Sequence, residues 1–182
     1  NYQTPEGEVP ATQLDIPWET CYSLYGWGWR KGATLKSSKK VLAVLIEVVA
    51  KGGNFLLGVG PKPDGTIEEQ AVDRVTTIGK WLDKNGEAIY ATVNARKYND
   101  GNVWFTQSKD GKKMYAMYAL KEDDPEVPAV IEWTGNIPAG KKVTLLSTGK
   151  RVKCEVDGDR VKVYLPKHVD RTESLAFSFG IK

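Results

Sequence analysis

One short run limits what this chain can fold into. Asn54-Phe55-Leu56-Leu57-Gly58-Val59 lies between Gly52-Gly53 and Gly60-Pro61, with a helical pattern on either side. A brief apolar run bounded by glycines reads as a strand buried on both faces, the mark of a parallel sheet. A parallel strand of that kind needs neighbours on both edges, and no second run like it occurs in the sequence. The neighbours are therefore expected outside this chain.

The flanking patterns support an α/β unit. Ser37 or Ser38 can cap a helix that runs to about Lys51 and stops at Gly52-Gly53. Its apolar residues, Val41, Leu42, Val44, Leu45, Ile46, Val48 and Val49, lie nearly all round, so it should be buried on most sides. After Gly60-Pro61-Lys62-Pro63-Asp64-Gly65, the spacing Thr66-x-x-Glu69 forms a capping box. Ala71, Val75, Ile78 and Leu82 then recur at helical spacing until Asn85-Gly86. Ahead of these elements, residues 1–35 combine Pro5, Pro10 and Pro17 with Tyr2, Trp18, Tyr22, Tyr25, Trp27 and Trp29. This reads as a long aromatic loop, with a short strand around Trp18 to Cys21.

From Thr92 the period changes to two. Asn102 to Ser108 and Lys112 to Leu120 flank the hairpin signal Asp110-Gly111, and two alternating runs flank Asp157-Gly158-Asp159. Further runs lie at Ala129 to Trp133, Lys141 to Leu146 and Ser174 to Gly180, giving a small antiparallel β-sandwich. The reading is α/β plus all-β, with 1–91 as one unit and 92–182 as the other.

Composition excludes several classes. At 182 residues the chain is too short for a complete (β/α)₈ barrel of about 250 residues. Residues 1–91 carry 10 basic and 11 acidic groups and residues 92–182 carry 16 and 12, so neither half has the concentrated basic face of a nucleic-acid binder. The longest nearly apolar run, Val41 to Ala50, contains Glu47 and falls short of the roughly 20 residues that span a bilayer. Cys21 and Cys154 are far apart and lack neighbouring ligands, so two free buried thiols are expected and no metal site. His168, the single histidine, reads as a surface residue. No dinucleotide fingerprint or phosphate loop is present, and no cofactor is expected. The start at Asn1, with no charged-then-apolar leader, suits a processed protein or a fragment.

Several motifs occur in a fixed order: Tyr2-Gln3-Thr4-Pro5-Glu6, Pro17-Trp18-Glu19-Thr20-Cys21, Trp27-Gly28-Trp29, Lys51-Gly52-Gly53-Asn54-Phe55-Leu56-Leu57, Gly60-Pro61, Asp64-Gly65-Thr66 and Asn85-Gly86-Glu87-Ala88-Ile89-Tyr90. Together they resemble the end of the catalytic barrel of α-L-fucosidases of glycoside hydrolase family 29. Residues 92–182 fall where that family places its C-terminal β-sandwich. The resemblance implies the C-terminal segment of a (β/α)₈-type barrel followed by the sandwich, with Asn54 to Val59 as the eighth strand and the rest of the barrel upstream of Asn1. It also implies retaining hydrolysis of terminal α-L-fucosides, with a fucosylated oligosaccharide or glycoconjugate as partner. The aspartate nucleophile would lie upstream, so this chain alone should be inactive. A periplasmic, extracellular or lysosomal setting follows from the same resemblance.

The resemblance puts the acid/base at Glu6, where a proline-stiffened loop in an aromatic surround could favour a protonated carboxyl. Glu8 is the competitor, and Glu19 is a weaker one that more plausibly braces the site. Trp27 matches an aromatic platform for the C–H face and methyl group of fucose, ahead of Trp29. Trp81, Trp104 and Trp133 belong to core or interface packing. Gly58 departs from the asparagine common at its place in the family. The alternative from another class is a carbohydrate-binding or adhesion module without chemistry.

Overall fold

The computed structural model describes residues 1–181. It begins with a parallel sheet that is open at both edges. Strand β1 (Glu19–Ser23) pairs in parallel with β2 (Asn54–Gly58), matching Thr20 to Phe55 and Tyr22 to Leu57. On the other side of β1, the N-terminal segment runs parallel to it through the Gln3–Trp18 and Glu6–Cys21 bridges. The apolar run is thus not alone, because one neighbour lies in the chain itself. It is also not buried on both faces. Phe55 and Leu57 pack inward while Leu56 is 51% exposed. The reason is layering: the described residues supply helices for one face of this sheet and no layer for the other.

Helix α1 (Ser38–Ala50) has Ser37 as its cap, the hydroxyl accepting from the Lys40 amide at 3.1 Å. Val41, Leu42, Leu45, Ile46, Val48 and Ala50 are buried, as its nearly continuous apolar surface requires. Helix α2 (Glu69–Asn85) starts later than the capping box implies. Asp64 takes the Thr66 amide and hydroxyl, at 2.9 and 2.7 Å, so Thr66 is spent in a turn and Glu68 caps the helix without a side-chain bond. Ala71, Ile78 and Trp81 face the core, whereas Val72 and Val75 remain exposed.

The remaining strands form one antiparallel sheet. They are β3 (Thr92–Asp100), β4 (Val103–Ser108), β5 (Lys113–Tyr118), β6 (Val130–Thr134), β7 (Val143–Leu145), β8 (Lys150–Asp157), β9 (Arg160–Tyr164) and β10 (Leu175–Gly180). Their order is β3-β4-β5-β10-β7-β8-β9-β6. The sheet curls until its first and last strands meet, consistent with the small antiparallel sandwich expected from the sequence. Lys97 of β3 donates to the Thr134 carbonyl at 2.7 Å, and the Thr134 amide donates to Asp100 at the same distance. The curl encloses Phe105, Trp133 and Phe179, with ring centroids 5.9 Å apart from Trp133 to each phenylalanine.

Strand β5 is buried on both sides. Met114 and Ala116 face the interior of the curled sheet, while Tyr115 and Met117 face α1 and α2. Trp81 of α2 closes the same seam, its indole N–H donating to the Ser174 carbonyl at 2.6 Å. Trp81 and Trp133 are core residues, as expected. Trp104 packs at the seam, with Lys51 Nζ 5.5 Å from its ring centroid and Tyr98 stacked on it.

Both cysteines are free but only half-buried, which corrects the expectation of buried thiols. Cys21 lies on the uncovered sheet face, and Cys154 lies on β8 at the margin of the core. His168 is exposed.

Candidate active-site face

The three parallel segments run in the same direction, so their carboxyl ends meet at one rim. That rim carries Ser23 and Gly58, and Glu6, the last paired residue of the N-terminal segment, lies level with Cys21 just below them. Side chains alternate along a strand, which fixes the face of each. Trp18, Thr20, Tyr22 and Leu24 turn toward the helices and are buried. Glu19, Cys21 and Ser23 turn the other way, in register with Asn54, Leu56 and Gly58, and the Glu6–Cys21 bridge adds Glu6 to that open face.

Glu6 is held from both sides by backbone. The Cys21 amide donates to the Pro5 carbonyl at 3.0 Å and the Gly7 amide to the Cys21 carbonyl at 2.8 Å. Its carboxyl is exposed, so the aromatic surround expected for it is not formed by this chain. Glu8 is exposed beyond the bend at Gly7, and Glu19 lies partly covered at the opposite end of β1. The structure therefore orders these carboxylates: Glu6 and Glu19 share the open face, with Glu19 two residues before Cys21, the partner of Glu6, while Glu8 lies past the bend.

The loop after β1 presents Trp27, which is 72% exposed. Trp29 is half-buried where this loop crosses the one after β2. A Cβ at Gly60 would lie 2.5 Å from the Trp29 backbone nitrogen, so only glycine permits that crossing. Gly58 differs, since a Cβ there would meet Ser23 at an ordinary 3.5 Å. The missing amide side chain at Gly58 is not imposed by crowding.

Lys36 fixes the start of the Trp27 loop. Its ammonium donates to the Ser23 and Tyr25 carbonyls at 2.6 and 2.8 Å and lies 4.7 Å from the Tyr22 ring centroid. Burial, with the Lys40 charge as a lesser cause, pushes its pKa below the ordinary lysine value. The Ser23 hydroxyl donates to the Tyr25 or Gly26 carbonyl, closing the same turn. Burial also raises the Tyr25 phenol, helped by Glu68, which accepts its hydroxyl at 3.4 Å.

The loop between Glu6 and β1 is pinned from below. Gln13 donates to the Ala50 and Ala95 carbonyls, both at 3.3 Å, and buried Lys51 donates to the Pro10 carbonyl at 2.7 Å while pairing with Glu47. Among the described residues no group of three or more His, Cys, Asp or Glu side chains could hold a metal ion.

The α-L-fucosidase family model matches residues 1–87. The tissue α-L-fucosidase of Bos taurus is 33% identical over 189 residues, covering 100% of this chain and 39% of that relative. This chain belongs to the α-L-fucosidase family. The tissue α-L-fucosidase of Homo sapiens is 31% identical over 190 residues, covering 100% of the chain and 40% of the relative. Among solved structures, α-L-fucosidase isoenzyme 1 from Paenibacillus thiaminolyticus matches with a TM-score of 0.85 at 26% identity, over 100% of this chain and 45% of that one. The Thermotoga maritima α-fucosidase in complex with fucose matches with a TM-score of 0.77 at 25% identity, over 98% and 42%. The chain thus spans about two-fifths of the length of these fucosidases and corresponds to their C-terminal portion.

In this chain, sequence reasoning passed over Thr20, Lys36, Gln13 and Lys51. Each acts through a backbone carbonyl distant in sequence, and such a partner leaves no motif. The one available signal was local for Lys36, a lysine that follows Leu35 and directly precedes the helix cap Ser37.

Proposed function

We propose that the full-length protein hydrolyses terminal α-L-fucosides with retention of configuration, and that Glu6 is its general acid and then base. The observation that carries this reading is the position of Glu6 just below the carboxyl-end rim of three parallel segments, on the face left open by the helices. In (β/α)₈ enzymes that rim is where catalytic groups gather. On this reading residues 1–91 complete a barrel whose earlier strands pair with the free edges of β2 and the N-terminal segment, and residues 92–182 brace it.

In a retaining glycosidase the two carboxyl groups stand about 5 to 5.5 Å apart, one attacking the anomeric carbon while the other protonates the leaving oxygen. This chain supplies the second; the nucleophilic aspartate belongs to an earlier strand. Closure of the barrel over the open face would remove Glu6 from water and provide the desolvation the chain alone lacks. Trp27 offers its indole to the apolar face of fucose. The substrate is a fucosylated oligosaccharide or glycoconjugate, in a periplasmic, extracellular or lysosomal setting. Support comes from relatives named α-L-fucosidases and from Thermotoga maritima structures described in complex with fucose and with a mechanism-based inhibitor. A self-contained glycan-binding module would have no use for parallel strands with two free edges.

The test is Glu6→Ala in the full-length protein. Turnover should fall by about 10²-fold or more on fucosides with poor leaving groups and much less on activated aryl fucosides, with azide restoring part of the loss. If Glu8→Ala shows that signature and Glu6→Ala does not, the role passes to Glu8.

A further inference from the structure

We propose that Thr20 is a positioning residue for the Glu6 carboxyl, acting through the bend at Gly7; this rests on the acid/base reading of Glu6. Thr20 is fully buried, on the helix-facing side of β1, opposite the face that carries Glu6. Its hydroxyl donates to the Glu8 carbonyl and lies 3.3 Å from the Pro5 carbonyl. These two carbonyls bracket Glu6 and Gly7, so one side chain ties down the chain immediately before and after the proposed acid.

The local backbone shows why such a tie is needed. Up to Pro5 the segment is held by the β1 ladder, whose last bonds are Cys21 N–H to Pro5 and Gly7 N–H to Cys21. At Gly7 the chain turns away with φ +71°, a left-handed conformation that glycine adopts without strain. Beyond it, Glu8 is exposed, and no backbone bond outside the helices and strands is donated by its amide. The Thr20 hydroxyl makes the first contact beyond the bend that ties the departing chain to the sheet, ahead of the Lys51 bond to the Pro10 carbonyl. Serine would keep this donor. Valine matches the shape of threonine but removes the donor, leaving the Glu8 carbonyl free to swing. A general acid must stay within hydrogen-bond reach of the leaving oxygen, and a displacement near 1 Å is costly.

The consequence is specific to protonation. In the full-length protein, Thr20→Val should lower kcat on a fucosyl disaccharide by about tenfold, with a far smaller change on an aryl fucoside whose leaving group needs no proton. The basic limb of its pH–rate profile, which follows deprotonation of the general acid, should also move, and Thr20→Ser should restore both the limb and the rate. Gly7→Ala, which strains the same bend from an exposed position, should reproduce the leaving-group dependence even where Thr20→Val folds poorly. Equal losses on both substrates in Thr20→Val, or in Gly7→Ala if Thr20→Val does not fold, would overturn the proposal. So would failure of Thr20→Ser to recover the disaccharide rate. If Glu6→Ala itself lacks leaving-group dependence, the acid/base reading fails; if Glu6→Ala shows it and Thr20→Val does not, only the positioning role fails.

Discussion

The indole of Trp18 occupies the space where a side chain at Gly53 would begin. A Cβ placed on Gly53 would lie 2.4 Å from Trp18 Cζ2 and 2.5 Å from Cε2, and Trp18, 1% exposed, has no free volume to retreat into. The Trp18 carbonyl also accepts the Asn54 amide at 3.0 Å, so the same pair sets where β2 begins beside β1. Gly53→Ala should therefore destabilise the protein by about 1–3 kcal/mol through overpacking, read by denaturant or thermal unfolding. Combined with Trp18→Leu, the two losses should be clearly less than additive. Additive losses would show that the close approach is not the cause.

Lys36 ties the Ser23 and Tyr25 carbonyls, and Lys36→Met keeps most of its stem while removing the tie. The Trp27 loop should loosen, raising KM several-fold for a fucoside with a smaller effect on kcat. The loss in stability should be about 1–2 kcal/mol, in the range of a charge-assisted hydrogen bond. Steady-state kinetics on the full-length protein checks this, and an unchanged KM would count against the loop's role.

Trp27 is so exposed that Trp27→Ala should change stability by no more than about 0.5 kcal/mol. If its indole meets the sugar, KM should rise by up to about tenfold, the equivalent of about 1.4 kcal/mol of stacking. Calorimetric titration with fucose, beside a melting curve, separates these two effects.

The clasp joining β3 to β6 should give an acid-dependent stability. Hydrogen bonds from Thr134, hydroxyl first, and then Lys97 hold the Asp100 carboxyl below its ordinary 3.8 and outweigh the effect of its partial burial. A carboxyl depressed in the folded state stabilises it fully above the unfolded pKa and loses that contribution as pH falls through the folded value. Asp100→Asn should thus be less stable than the parent by about 1 kcal/mol at neutral pH, since the pair is partly solvent-screened. The difference should shrink below about pH 4. Melting temperatures of the two proteins from pH 7 to pH 3 decide it, and a constant gap would sink the assignment.

Local signals determined much of this chain. Ser37 before an apolar run set the start of α1, Gly52-Gly53 its end, and Asp110-Gly111 and Asp157-Gly158 the two tight hairpins, because capping and turn chemistry act over a few residues. The ordered motifs around Glu6, Trp18, Trp27 and Asn54 likewise carried the family. What the sequence could not decide depends on contacts between distant residues. Asp64 took Thr66 away from the cap of α2, since an Asx turn competes for the same groups. Leu56 looked buried because its neighbours are apolar, yet burial depends on whether a second layer covers the face, and period two in the ladder left it on the open side. The anchors of the Glu6 rim, Thr20 and Lys36, were silent in sequence because their partners are backbone carbonyls, which every residue has. Only the tertiary register of the N-terminal segment, β1 and β2 decides which carbonyls those are.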